Sequence, residues 1–206
     1  MDPQAAAAAI DAFLRALGHD PDSDAALRGT GSRVAALFAD ELLDGHGKDV
    51  NALFADAIPA GRSTPLVVVR RLATHVVCPH HLTLGSGWAD VAYLPRDRVL
   101  GLGTVAQIVD AHCHRLVLQE DACQAIARAF VDRLDAHAAM CRLELRHGCL
   151  THHGEKKRGS LVTTIACAGT CEDVGPDRAF MLGALIAGTP TATRRKRPRT
   201  RGAPPR

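Results

Sequence analysis

The sequence predicts an α+β domain whose strands pair in the antiparallel direction. Apolar residues recur at helical spacing in four segments, and valine-rich or alternating runs typical of strands fill four others. The predicted order is two helices, two strands, two helices and two strands, which favours antiparallel pairing. The chain has 206 residues, enough for one domain with a sizeable core.

The two helices predicted first are packing helices. They cover residues 3–17 and 30–45. The second carries Val34 and Phe38 at helical spacing, and Gly45 is a stop signal at its end.

Two strands are predicted next, with a polar cluster between them. The first, at 66–77, is rich in valine, and the second, at 86–94, contains Trp88 and Tyr93. The stretch CPHHL, residues 78–82, therefore lies at the end of a strand.

Two amphipathic helices and two further strands complete the prediction. The helices cover 104–113 and 119–136, and the longer one places small and aliphatic side chains along one side. The strands cover 141–146 and 160–167.

The composition excludes several classes of protein. No run of about 18 uncharged apolar residues is present, and the N-terminus carries acids where a signal peptide carries positive charge. Seven cysteines are an odd count without the spacing of a small disulfide-rich domain, so we expect reduced thiols or metal ligands. We expect a cytoplasmic protein without a membrane partner.

Positive charge is concentrated at the C-terminal end. Seven of the 25 Lys and Arg residues lie in the final stretch TRRKRPRTRGAPPR, so the rest of the chain has 18 basic against 22 acidic residues. A like-charged, proline-rich segment buries little apolar surface, and we expect residues 191–206 to form a disordered basic tail. We do not expect a nucleic acid partner, although such a tail leaves this interaction open.

Cysteine and histidine are clustered at two predicted strand ends. In CPHHL, Cys78 and His81 have a spacing that supplies two zinc ligands from one turn, and Cys149 in RHGC is the best candidate for a third. His80 and His147 would then lie beside the metal, where an imidazole suits proton transfer. Isolated structural histidines remain the alternative.

A second histidine pair follows the RHGC motif. His152 and His153 could extend a metal site. Gly154 and the charged residues after it are equally consistent with a surface loop.

Several motifs together resemble the GTP cyclohydrolase I family. They are, in chain order, LRGTGSRVAALFADELLDG, CPHHLTLGSGWADVAYLPRDRVLGLGTVAQIVDAHCHRLVLQED, RHGCL and RGSLVTTIACAG. The resemblance covers about residues 25–170. It implies a T-fold over residues 30–190, with antiparallel strands and two helices packed on the sheet, preceded by an N-terminal helical segment at 1–29. It also implies a homo-oligomer, a decamer of two stacked pentamers.

The resemblance also assigns roles to individual residues. The implied zinc ligands are Cys78, His81 and Cys149. The implied acid–base residues are His80 and His147. Glu120, with Gln119 beside it, matches the residue that binds the guanine edge in this family. The implied substrate is therefore a small molecule of the guanine type. A carboxylate can accept hydrogen bonds from the ring N–H and the 2-amino group of guanine together.

The positions that face the triphosphate depart from the family pattern. Arg33 matches one basic position, and His153 stands where an arginine is expected. Ala36, Thr104 and Gln107 replace the other cations. Each charge-assisted contact contributes roughly 1.5–3 kcal/mol, so these losses weaken triphosphate binding.

These departures lead us to expect hydrolytic opening, at C8, of a guanine-type purine that lacks a triphosphate, in a specialised purine or pterin pathway. One alternative is an ordinary GTP cyclohydrolase I with rearranged phosphate contacts, in which Lys156, Lys157 and Arg158 compensate. Another alternative is a non-catalytic oligomer that binds a pterin or purine.

Overall fold

The computed structural model describes residues 1–61 and 65–187. The helices are α1 Pro3–Ala16, α2 Thr30–Ala36, α3 Val50–Ala55, α4 Leu102–Cys113, α5 Gln119–Leu134, α6 Gly148–Thr151 and α7 Pro176–Ile186. The strands are β1 Ile58–Pro59, β2 Val67–Val77, β3 Leu84–Leu94, β4 Arg98–Val99, β5 Ala138–His147 and β6 Val162–Gly169. The tail expected at 191–206 lies outside the described residues. No helix within the described ranges is long and apolar enough to cross a membrane.

The main sheet has four antiparallel strands in the order β2-β3-β5-β6. Helices α4 and α5 lie between β3 and β5 in the chain and pack on the sheet. This arrangement is the T-fold, so the predicted fold class is confirmed. Because β3 pairs with β5, Gly85 lies opposite His147, and the end of β5 comes to the edge of the CPHHL turn.

Aliphatic side chains and a few aromatic rings form the core between the sheet and its two helices. Tyr93 of β3 and Phe130 of α5 are fully buried, with ring centroids 4.9 Å apart. The Tyr93 hydroxyl accepts a hydrogen bond from the Leu100 amide at 3.2 Å. Truncation of such a buried ring typically costs about 3–5 kcal/mol, so this contact fixes α5 relative to β3.

A smaller apolar cluster lies on the opposite face of the sheet, under α7. Met140 of β5 packs there with Met181 and Leu185 of α7, and all three side chains are buried. The guanidinium of Arg70 donates to the Ala184 and Ala187 carbonyls at the C-terminal end of α7. Carbonyls at this end have no partner within the helix, so Arg70 caps it.

The N-terminal helices dock through close backbone contacts. A side chain at Gly31 would place its Cβ 2.5 Å from the Ala7 carbonyl oxygen, so only glycine allows α2 to approach α1 this closely. The helix predicted over 30–45 is α-helical only to Ala36 and continues as a π-helical turn, Leu37–Leu42. The adjoining short turn meets the end of α4 at Gly45, where a Cβ would lie 2.7 Å from the Asp110 carbonyl oxygen.

Candidate metal and catalytic site

The first two candidate metal ligands lie in the turn after β2. Cys78 is buried, its amide donates to the Thr83 carbonyl at 2.9 Å, and its carbonyl accepts from Leu82 at 2.9 Å. These bonds close the turn and bring His81 back toward Cys78, with Sγ and Nδ1 3.7 Å apart. The spacing of two residues therefore lets one tight turn present both side chains to one point.

The third candidate ligand follows β5. Cys149 belongs to the short helix α6, which begins directly after His147. The hydroxyl of Thr151, a buried residue, donates to the His147 carbonyl at 3.0 Å and fixes this turn. The ligand atoms of Cys78, His81 and Cys149 all lie within 4.8 Å of one another. The pairing of β3 with β5 thus gathers these side chains into one group that could hold a metal.

The chemistry of this donor set fits zinc. Two thiols and an imidazole are the ligands that zinc prefers, and three protein ligands are typical of zinc sites that leave a position open. No other group of three or more Cys, His, Asp or Glu in residues 1–61 and 65–187 is placed to share a metal ion.

His147 lies beside the candidate metal ligands, and a buried glutamine holds its ring. Its Nε2 lies 2.7 Å from Oε1 of Gln119. Burial lowers the pKa of His147 below its usual value, and the charge of Glu120 partly opposes this shift. His147 is therefore neutral near pH 7, the form that can accept a proton.

A cavity of about 230 Å³ opens next to these residues. Its polar lining comes from Cys78, His80, Gln119, Glu120, His147 and Cys149. The side chains of Val117, Leu118, Leu150 and Val162 add apolar walls. The cavity therefore combines two metal-ligand candidates, two histidines and a carboxylate with a surface suited to a flat ring.

Six of the nine site residues predicted from the sequence line this cavity, and His81 joins them through the metal group. His153 lies elsewhere, with its ring centroid 5.0 Å from that of His81 and outside the cavity lining. Arg33 is exposed on α2, where its guanidinium donates to the Arg28 carbonyl and to the Thr30 hydroxyl. Neither residue reaches the cavity within one chain.

Two features of the site were not predicted from the sequence. Gln119 was expected beside the substrate, and its contact with His147 was missed because the two residues are 28 positions apart. Gly85 was not singled out, although a Cβ there would lie 2.7 Å from Cε1 of His147. The signal for Gly85 is the strand register that places it opposite His147.

Known proteins resemble this chain over most of its length. The profile of the GTP cyclohydrolase I family matches residues 6–184. The GTP cyclohydrolase 1 of Bacillus subtilis is 37% identical over 175 residues, which are 84% of this chain and 90% of that protein. The GTP cyclohydrolase 1 of Mycobacterium tuberculosis is 34% identical over 187 residues, covering 90% and 91% of the two chains. Among solved structures, the archaeosine synthase QueF-Like in the apo form matches with a TM-score of 0.44 and 21% identity, over 52% of this chain and 97% of that one.

Proposed function

The chain belongs to the GTP cyclohydrolase I family of zinc-dependent hydrolases, and we propose that it opens the imidazole ring of GTP by hydrolysis at C8. The observation that carries this proposal is the convergence of Cys78, His81 and Cys149 beside a cavity that also contains His147 and Glu120. Identity above 30% over most of the chain to GTP cyclohydrolase 1 proteins favours GTP over the substrate without a triphosphate.

We assign the metal to the group of two thiols and one imidazole. Cys78 and Cys149 would bind as thiolates and His81 as a neutral imidazole. When bound, zinc lowers the pKa of a coordinated water and so supplies a nucleophile near neutral pH. The rest of the mechanism depends on side chains of this chain.

His147 and His80 are the proposed acid–base residues. Both line the cavity, and His147 is kept neutral by burial, so it can accept a proton during attack and return it to a leaving nitrogen. His80 is exposed at the neighbouring turn, on the same wall as Cys78. Two imidazoles on one cavity allow one to accept a proton while the other donates.

Glu120 is the proposed guanine-binding residue. It stands in the first turn of α5, and it lines the cavity. An ionised carboxylate accepts two hydrogen bonds, which match the ring N–H and the 2-amino group of guanine. Adenine lacks that pair of donors, so this contact selects guanine.

The triphosphate end of the substrate needs positive charge that the cavity does not supply. In the part of the chain that the structure describes, neither Lys nor Arg lines the cavity. The loop after His153 carries Lys156, Lys157 and Arg158, and the Lys157 amide donates to the carbonyl of cavity-lining Leu150 at 2.9 Å. We propose that this basic loop, together with Arg33 and His153, contacts the phosphates of GTP.

A second candidate substrate is a guanine-type purine without a triphosphate. Ala36, Thr104 and Gln107 are neutral residues at positions where the resemblance implies phosphate-facing cations, and they favour this substrate. The same cavity and the same zinc group would serve both substrates, so the two differ only in the phosphate contacts.

We further propose that copies of this chain assemble into rings, two pentamers forming a decamer. Strands β2 and β6 are the edges of the four-stranded sheet, and an edge strand offers unpaired backbone groups to another chain. Assembly would also bring Arg33 of one copy toward the site of another. We propose that residues 30–190 form the catalytic domain and 1–29 a helical segment packed on it.

The test is a competition between substrates. Zinc-loaded protein is incubated separately with GTP, GMP and guanosine, and the products are measured by mass spectrometry at low and high salt. We expect GTP to give the highest kcat/KM, with a preference over guanosine that shrinks as salt screens the phosphate contacts. Turnover of guanosine at the same or a higher kcat/KM than GTP, independent of salt, would select the second candidate.

A further inference from the structure

The buried amide of Gln119 has a fixed orientation. Gln119 is only 2% exposed, and its Nε2 lies 3.1 Å from each of three oxygens, the Leu143 and Val162 carbonyls and the Thr164 hydroxyl. A carbonyl oxygen only accepts hydrogen bonds, so the amide nitrogen must stay on this side. The amide oxygen therefore points the other way, toward His147.

This orientation decides which ring nitrogen of His147 carries the proton. Oε1 of Gln119 lies 2.7 Å from Nε2 of His147, and an amide oxygen cannot donate. Nε2 must therefore be the donor, an assignment that follows from the hydrogen-bond network. No group within residues 1–61 and 65–187 bonds Nδ1. Neutral His147 is thus the Nε2–H tautomer with its free lone pair on Nδ1.

The backbone of β3 restrains the same ring from a second direction. The strand register pairs Gly85 with His147. A Cβ at position 85 would lie 2.7 Å from Cε1 and 2.8 Å from Nδ1 of the ring, closer than side-chain atoms pack. The imidazole therefore lies against the glycine and cannot rotate freely.

We propose that Gln119 is a positioning residue, which fixes the ring of His147 and sets its tautomer, with the proton on Nε2 and the free lone pair on Nδ1. This inference rests on the proposed acid–base role of His147. The donors of Gln119 are taken by protein oxygens, whereas Glu120 is exposed at the cavity. The two neighbouring residues at the start of α5 therefore have different roles, because Glu120 recognises guanine and Gln119 orients His147.

Gln119→Leu tests this role in the full-length, zinc-loaded protein. The leucine keeps the volume but removes both the acceptor for Nε2 and the donors to the sheet. We expect kcat for GTP to fall about 10–100-fold, as for other residues that orient a functional histidine, while KM changes less than about threefold and zinc content stays the same. Gln124→Leu is the matched control, because Gln124 is on the same helix and its Nε2 donates to the Cys167 carbonyl of the same strand, β6.

The tautomer itself is read from solid-state ¹⁵N spectra of histidine-labelled, sedimented protein. The His147 signals are identified by their loss in His147→Gln. We expect the parent chain and Gln124→Leu to show the Nε2–H tautomer, and Gln119→Leu to show a mixture of both tautomers. An Nδ1–H tautomer in the parent chain, or a parent-like kcat in Gln119→Leu, would overturn the proposal.

Gln119→Glu tests the same positioning role if Gln119→Leu does not fold. Buried against two carbonyl oxygens, the new carboxyl takes up a proton, and it can then donate to the sheet while it accepts from Nε2. We expect the parent tautomer and a kcat within about threefold of the parent value. Retention of the tautomer with a kcat loss of 10-fold or more contradicts the positioning role. If the parent chain does not turn over GTP, only the proposed function is overturned, because the spectra still test the contact between Gln119 and His147.

Discussion

Single polar residues at close distance determine the chemistry of this molecule. Cys149 and Cys78 converge with His81 on one point, with all ligand atoms within 4.8 Å. Burial, together with the neighbouring Cys78, raises the pKa of the Cys149 thiol in the metal-free protein. A divalent cation between the two sulfurs would reverse this effect, because it stabilises both thiolates. The site is therefore better suited to a metal ion than to two adjacent free thiols.

Cys149→Ala should remove zinc from the purified protein. Two remaining ligands are too few for tight retention, so we expect occupancy to fall from about one zinc per chain to below about a tenth after dialysis. Elemental analysis by mass spectrometry measures the change. His80→Ala is the matched control, since His80 adjoins the ligands without belonging to the metal group, and it should keep its zinc. Full zinc occupancy in Cys149→Ala would show that the ligand assignment is wrong.

Among the helices and strands, α4 carries a partly buried histidine outside the site. Nε2 of His112 is enclosed without a hydrogen-bond partner in the described residues. Burial, followed by the charges of Arg115 and Arg133, lowers the pKa of His112 to about 4. Burial and the neighbouring His114 also lower the pKa of His75. Both histidines therefore oppose folding when they take up a proton.

The sign of this effect predicts how stability depends on pH. The folded-state pKa of His112 lies below the usual histidine value of about 6.5, so as pH falls the unfolded chain takes up the proton first. Stability should decline as pH falls from about 6.5 toward 4. His112→Phe should lessen this decline and add about 1–3 kcal/mol at neutral pH, because it removes an unsatisfied buried nitrogen. Denaturant unfolding at several pH values measures both effects.

Zinc retention also weakens in acid, so the stability of His112→Phe is compared with that of the parent chain at each pH. His19→Phe, at an exposed position, should leave the pH dependence unchanged. A decline in His112→Phe as steep as in the parent chain would mean that His112 does not contribute to it.

The long elements could be predicted from the sequence because their local patterns agree with their tertiary environment. The valine-rich strand β2 and the amphipathic helix α5 were predicted to within about two residues at each end. The start of β5 was missed because Ala138, Ala139 and Met140 have no strand-like pattern. Pairing with β3 and β6 on both sides makes this segment a strand despite its composition.

The helices α3 and α7 were also missed. Asp49 caps α3 by accepting from the amides of Asn51 and Ala52, and Pro176 begins α7. Both are recognisable start signals, but the six residues of α3 have little periodicity to support its signal. Likewise, the CPHHL turn was predictable because its ligands are local, whereas the contact between Gln119 and His147 depends on how α5 packs on the sheet.

At the scale of the whole molecule, one sheet assembles the candidate site. The CPHHL turn follows β2, His147 ends β5, and Gln119 and Glu120 begin α5. The residues that we propose to bind guanine and to hold the metal therefore come from one chain. Arg33, which we propose to contact the phosphates, lies on α2 and bonds to its own segment. The proposed assembly of several copies is consistent with this division.

We propose that this chain opens the imidazole ring of GTP at C8, and GTP labelled with ¹³C at C8 provides a direct test. NMR follows the labelled carbon while zinc-loaded protein acts on the substrate, with Cys149→Ala as the inactive control. We predict that the C8 signal is replaced first by that of a formamide carbon and then by that of free formate. An unchanged C8 signal, in protein shown to hold about one zinc per chain, would contradict the claim.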